Sequence, residues 1–134
     1  MAAADNAVIA RSLYEKFEQG DIDAMIGGMA EDITWQLPEI AEVPLSGKRQ
    51  GHDGVREFFA SLVEMQDVQE MQIDHVVAEG DTVVVLGHYS WRVKATDRSF
   101  SSEFAHAFHL AGGKIEKFQK FLDTAAVAAA HQAR

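Results

Sequence analysis

His106, Gln119 and Asp123 are the polar residues best placed to do chemistry, because each lies one or two positions from a phenylalanine in segments whose hydrophobic period is two. That period begins at residue 69 and predicts four strands, about 69–78, 82–94, 99–110 and 114–122, joined at Gly80-Asp81, Thr96-Asp97 and Gly112-Gly113 by hairpins. Closing each hairpin with a two-residue turn fixes the cross-strand partners. Trp91 then falls opposite Ser102, Tyr89 opposite Phe104, Gly87 opposite His106 and Val85 opposite Phe108. On the next strand His106 meets Gln119, Phe104 meets Phe121 and Ser102 meets Asp123. One face therefore carries Tyr89, Trp91, Phe104, Phe108 and Phe121 with His106, Gln119 and Asp123 among them. A carboxylate among aromatic rings loses hydration, which raises its pKa and makes it a better base toward a carbon acid, while a nearby histidine donates a hydrogen bond to developing oxyanion charge. Each residue also has a structural alternative. Asp123 precedes Thr124 and an alanine run, where it would serve as a helix N-cap, and His106 beside Gln119 fits a satisfied core histidine.

The same register places Val84, Leu86, His88, Ser90 and Arg92, then Glu103, Ala105, Ala107 and His109, then Phe118, Lys120 and Leu122 on the opposite face. Small residues at its centre and charges around it suit a flat contact, so a homodimer through this outer sheet face is expected, with Arg92 and Lys120 of one subunit meeting Glu103 of the other.

The elements that must position these strands are helical. Val8, Ile9, Leu13 and Phe17 predict a helix over 5–19 with Asp5 or Asn6 as N-cap and Gly20 as its stop. Asp21 caps a shorter stretch from Ile22 to Met29, and Asp32 to Leu37 alternates as a strand until Pro38. Residues 38–52 show no period and read as a long loop carrying His52; Asp53 then caps a helix with the stripe Val55, Phe58, Phe59, Leu62 and Val63, read as helix core. A terminal helix runs from Ala125 to Ala133.

At 134 residues, with 47% hydrophobic and 25% charged side chains, the chain reads as one globular domain over 1–134. A net charge of −9 without a basic cluster argues against nucleic acid and anionic membranes as partners. The absence of cysteine excludes disulfides, thiolate metal sites and cysteine nucleophiles. No apolar run approaches the ~20 residues of a membrane span, and Met1 to Asn6 carries no basic leader, so a cytoplasmic location is expected. The six histidines do not suggest a metal site. His106 and His109 point to opposite faces, His88 and His109 share a face without a third ligand, and His75 is expected against the strand core. Lacking a phosphate loop, a Gly-x-Ser-x-Gly elbow or a Ser-Lys pair, the chain is expected to use no cofactor.

The order helix, helix, strand, helix and meander resembles the nuclear transport factor 2-like superfamily, and particular residues extend the likeness over nearly the whole chain. They are Tyr14-Glu15-Lys16-Phe17 with Gly20-Asp21, Asp32-Ile33-Thr34-Trp35, Gly51 through Phe58-Phe59, Gly80-Asp81, and Gly113-Lys114-Ile115 leading to Phe118 and Leu122-Asp123-Thr124. Together they look like the SnoaL-like polyketide cyclase and ketosteroid-isomerase-like branch. The resemblance implies an α+β fold in which a cone-shaped, curved antiparallel sheet wraps three helices, also described as cystatin-like. It further implies an acid on the last strand near a histidine on the preceding one, positions that Asp123 and His106 match. Tyr14 on the first helix resembles the oxyanion-hole tyrosine of ketosteroid isomerases, where its hydroxyl would stabilise an enolate. The aspartate those isomerases carry near the first strand is missing; Glu39 after Pro38 fits a solvated loop charge better. An epoxide-hydrolase arrangement is poorly matched, because Arg92 and Glu103 fall on the face opposite Asp123. The expected function is a small cofactor-independent enzyme that isomerises or cyclises an apolar carbonyl compound, with Trp35, Tyr89, Trp91, Phe104, Phe108, Gln119 and Phe121 holding it. The alternative is a binding protein that keeps a hydrophobic ligand in the same cavity without chemistry.

Overall fold

The structure is a computed structural model that describes residues 2–132. Helix α1 (Ala3–Glu18) buries Ala10, Leu13 and Tyr14, and Gly20 at φ 71° ends the turn in a conformation that costs a residue without Cβ little. The expected caps are corrected: alanines extend α1 to Ala3 with Ala2 as N-cap residue, so Asp5 and Asn6 lie within the helix. Asn6 is buried there, and its Nδ2 donates to the Gly80 carbonyl at 3.0 Å. Helix α2 (Ile22–Gly27) is capped as expected by Asp21, which accepts from the Ala24 amide at 3.1 Å.

Strand β1 (Met29–Gln36) leads to a segment that is not all loop: β2 (Lys48–Gln50) pairs with β1, and α3 (Gly51–Met65) begins before Asp53. Asp53 thus supplies a negative charge to the first turn instead of a cap, and His52 belongs to the helix. The meander follows as β3 (Gln66–Glu79), β4 (Thr82–Val93), β5 (Arg98–Ala111) and β6 (Lys114–Leu122), and α4 (Thr124–His131) closes the chain.

The six strands lie in the order β2-β1-β6-β5-β4-β3, a curved, unclosed sheet. The meander is antiparallel throughout, but β1 runs parallel to β6, so the sheet is mixed and not wholly antiparallel. Helix α1 packs on β3 and β4 and α3 on β1, which places the apolar core between the helices and one sheet face. Irregular pairing in β3 between Val68 and Glu70 and between Ile73 and His75 bends that strand and leaves His75 exposed opposite Leu86, outside the core expected for it.

Two register findings decide which residues face the helices. The β4–β5 connection spans four residues instead of two, so Trp91 pairs with Phe100, Tyr89 with Ser102, Gly87 with Phe104 and Val85 with His106. A slip of two preserves the faces, and Tyr89, Trp91, Phe104, His106 and Phe108 all point inward and are buried. The Gly112-Gly113 turn is the tight turn expected, both glycines at positive φ, with Ala111 opposite Lys114. Directly after it, however, Leu110 pairs with Ile115 while His109 pairs with Lys117, so Glu116 is an extra residue that inverts the remainder of β6. Phe118, Lys120 and Leu122 therefore point inward, opposite to the expectation, while Gln119 and Phe121 point outward and Phe121 is 50% exposed.

Candidate active site

Helix α1 and strand β5 bring two residues far apart in sequence into contact: Tyr14 Oη lies 2.7 Å from His106 Nδ1. Their rings are nearly parallel, 5.8 Å between centroids, and Phe104 stacks on His106 at 4.2 Å. Burial, with a smaller contribution from Tyr89, raises the Tyr14 pKa well above the ordinary phenol value. Burial, and then the charge of Lys120, lowers His106 well below the ordinary imidazole value. Both groups are therefore neutral at pH 7. In the tautomer that carries the imidazole proton on Nε2 the phenol donates to Nδ1, and in the other tautomer Nδ1–H donates to the phenol oxygen. Among the described residues, Nε2 of His106 and Nε1 of Trp35 are buried and have no hydrogen-bond partner.

These groups line a narrow cavity enclosing about 50 Å³ between α1, α3 and the inner sheet face. Tyr14, Trp35, Phe58, Tyr89, Trp91, His106, Phe118 and Lys120 form most of its wall, and Phe17 and Met71 are among the rest. A second cavity of about 40 Å³ under Leu37, Ile40 and Val43 shares Phe58, Leu62, Tyr89, Trp91 and Lys120 with the first. Trp35 stacks on Phe118 at 3.9 Å, a contact set by the parallel pairing of β1 with β6. Lys120 is the cross-strand partner of His106, and its Nζ lies 5.8 Å from the Phe58 ring centroid and 5.9 Å from that of Tyr89. Burial pushes its amine down to about 8.

Of the residues singled out by sequence, the structure brings Tyr14, His106, Trp35, Tyr89 and Trp91 to this cavity. Phe104 and Phe108 are buried directly behind them, Phe108 edge-on to Tyr14 at 6.1 Å. Three placements are corrected. Asp123 is exposed and caps α4, accepting from the Ala126 amide at 3.0 Å, while its own amide donates to Ser102 Oγ at 2.9 Å. Gln119 and Phe121 line a groove on the outer face with Thr34, Lys48 and Lys117. The cause in each case is the extra residue in β6, which carries the end of the strand out of the register that put them inside.

Phe118 and Lys120 are the cavity residues that register arithmetic assigned to the wrong face. A signal for them exists in the sequence. Continued alternation from Ile115 would send Lys117, Gln119 and Phe121 inward, whereas one inserted residue sends Phe118, Lys120 and Leu122 inward and buries more apolar surface. Among the described residues, no group of three or more His, Asp or Glu side chains is arranged to hold a metal ion, and no helix is long and apolar enough to cross a membrane.

Several solved structures share this architecture. An NTF2-like protein of Burkholderia xenovorans is 29% identical and superposes with a TM-score of 0.90, over 98% of this chain and 99% of that one. An NTF2-like protein of Burkholderia thailandensis is 30% identical with a TM-score of 0.87, over 99% and 100% of the two chains. TerC, co-crystallised with polyporic acid, is 25% identical with a TM-score of 0.85, over 94% and 97%. No curated protein sequence matches the chain. The model of the SnoaL-like domain matches residues 10–118, which spans every element from α1 into β6 and includes Tyr14, Trp35, Tyr89 and His106, and the chain belongs to that SnoaL-like family within the NTF2-like fold.

Proposed function

We propose that the protein is a cofactor-independent enzyme that shifts a proton on an apolar carbonyl compound, the step common to isomerisation and cyclisation through an enol. The observation that carries this reading is the buried Tyr14–His106 hydrogen bond of 2.7 Å beside an aromatic cavity. With Tyr14 donating to Nδ1, Nε2–H is a neutral donor that has no acceptor among the described residues and is left for a bound molecule. A carbonyl oxygen at that point gains negative charge as its α-proton passes to the unprotonated fraction of the Lys120 amine in the same cavity, and the ammonium so formed returns a proton to the new carbon position. A fixed donor in a dry site stabilises that charge more than water does, because no solvent has to reorganise. The raised pKa of Tyr14 and the lowered pKa of His106 keep both neutral, so the pair polarises the oxygen without ionising. Asp123 stays outside at the start of α4, and the reading rests on His106 in its place. The co-crystallisation of TerC with polyporic acid supports a small organic ligand for this architecture.

The test is deuterium incorporation α to the carbonyl of apolar aryl ketones, followed by proton NMR in D2O. The parent protein should exchange at least one of them well above the buffer rate, and His106→Leu should slow that exchange by about 100-fold or more. Exchange at the buffer rate throughout, or an undiminished rate in His106→Leu, would overturn the reading.

A further inference from the structure

The polar atoms that the cavity leaves unsatisfied are of one kind. Trp35 Nε1 is a donor by its chemistry, and His106 Nε2 is a donor in the tautomer in which Tyr14 donates to Nδ1; among the described residues both are buried without partners. Lys120, the third, is cationic and enters the same cavity from the strand position directly across from His106. Among the described residues Lys120 makes no ion pair, whereas Arg56, Arg92, Lys94, His88 and His109 are each paired with a carboxylate. What surrounds its Nζ instead is the faces of Phe58 and Tyr89, and Arg49 lies over the same Phe58 ring at 5.2 Å. An ammonium held over aromatic faces recovers only part of the hydration it gives up. A ligand that brings a negatively charged oxygen to this cavity would give the ammonium the counter-charge it lacks, and a ligand that brings only apolar surface would leave it as it is.

We infer that the cavity selects an apolar aromatic molecule bearing an acidic oxygen group, a carboxylate, phenolate or enolate, and that Lys120 is the residue that reads this charge. The inference deepens the proton-transfer reading by naming its substrate class. Its test is a binding measurement that requires no turnover, so the two can fail separately.

The probes are 4-fluorobenzoate and 4-fluorobenzamide, nearly the same shape and differing in charge, titrated into the protein and followed by fluorine NMR at pH 7. The parent should bind the benzoate at least tenfold more tightly than the amide. Lys120→Met, which keeps length and removes charge, should abolish that preference, and Lys120→Arg should retain it. Equal affinity of the two probes for the parent, absence of binding by both, or a preference that survives in Lys120→Met would overturn the inference. If Lys120→Met binds neither probe, Lys120→Arg decides: a retained preference supports the assignment and a lost one overturns it.

Discussion

His88 and His106 lie on neighbouring strands, but the sheet separates them into two environments with opposite effects on the same chemical group. On the outer face His88 meets Asp74 at 2.9 Å and Glu70 at 3.5 Å, and these carboxylates, the Asp74 hydrogen bond first, raise its pKa. On the inner face His106 meets Tyr14, Phe104 and Phe118, with the charge of Lys120 nearby, and its pKa is lowered. Arg92 and Lys120 repeat the contrast. Arg92 is held by Asp67 and Asp97 in solvent, whereas Lys120 faces rings and makes no ion pair among the described residues. The outer face pairs His88 and Arg92 with carboxylates of the chain, and the inner face holds polar groups that have no partner among the described residues. A fold that keeps uncompensated polar groups in its core gives up stability to do so, which is the usual signature of a binding or reacting site.

The contrast breaks most sharply at adjacent residues of β4. A Cβ built on Gly87 would lie 2.3 Å from the Gln72 carbonyl oxygen and 2.6 Å from Phe104 Cζ, so both a backbone and a packed ring would have to move. Gly87→Ala should therefore cost about 3 kcal/mol or more, measured by urea unfolding. Leu86, one residue away on the outer face and 38% exposed, should lose less than about 1.5 kcal/mol as alanine. Similar losses at the two positions would mean that the inner face has room the structure does not show.

The next largest effect tests what the lone cation costs. Partial burial holds the Lys120 amine at about 8 in the fold against an ordinary 10.5, so below pH 8 the native state carries the full penalty of the half-buried ammonium. As pH rises from about 8 toward 10.5 the native amine is neutral while the unfolded one still binds its proton, and the penalty is relieved. Lys120→Met should thus raise stability by about 2–3 kcal/mol at pH 7 and by progressively less toward pH 10. A destabilised Met variant at pH 7 would show that Lys120 is compensated within the chain.

How far sequence reached toward this site depends on which kind of error each hairpin tolerates. The inward set Tyr89, Trp91, Phe104, His106 and Phe108 was legible despite a wrong loop length, because a slip of two residues returns every side chain to the same face. Lys120, Gln119, Phe121 and the approach to Asp123 were not, because Glu116 adds a single residue and inverts the strand. The meander and the helices followed from period and turn residues, while the parallel pairing of β1 with β6 left no local signal, since it depends on where α2 delivers the chain. Nor was the Tyr14–His106 contact readable: it joins residues 92 positions apart on a helix and a strand, and only the packing of α1 across the sheet decides which side chains meet.

The smallest effect compares the two histidines directly. For His106 the folded pKa lies below the unfolded value near 6.5, so the unfolded state binds the extra proton and stability falls as pH drops below that value. For His88 the folded pKa lies above it, so its contribution is fully present below about 6.5 and is lost as pH rises through the folded value. Replacing Tyr14 and His106 together with Phe and Leu, which removes both hydrogen-bonding partners, should flatten the acid limb of a stability profile taken between pH 5 and 8. His88→Gln should do the opposite, lowering stability more at pH 5 than at pH 8, by a smaller amount because solvent screens its carboxylate partners. If both replacements tilted the profile in the same direction, the two faces would not differ in the way their charges are satisfied, and Lys120 would lose its standing as the cation left for a ligand.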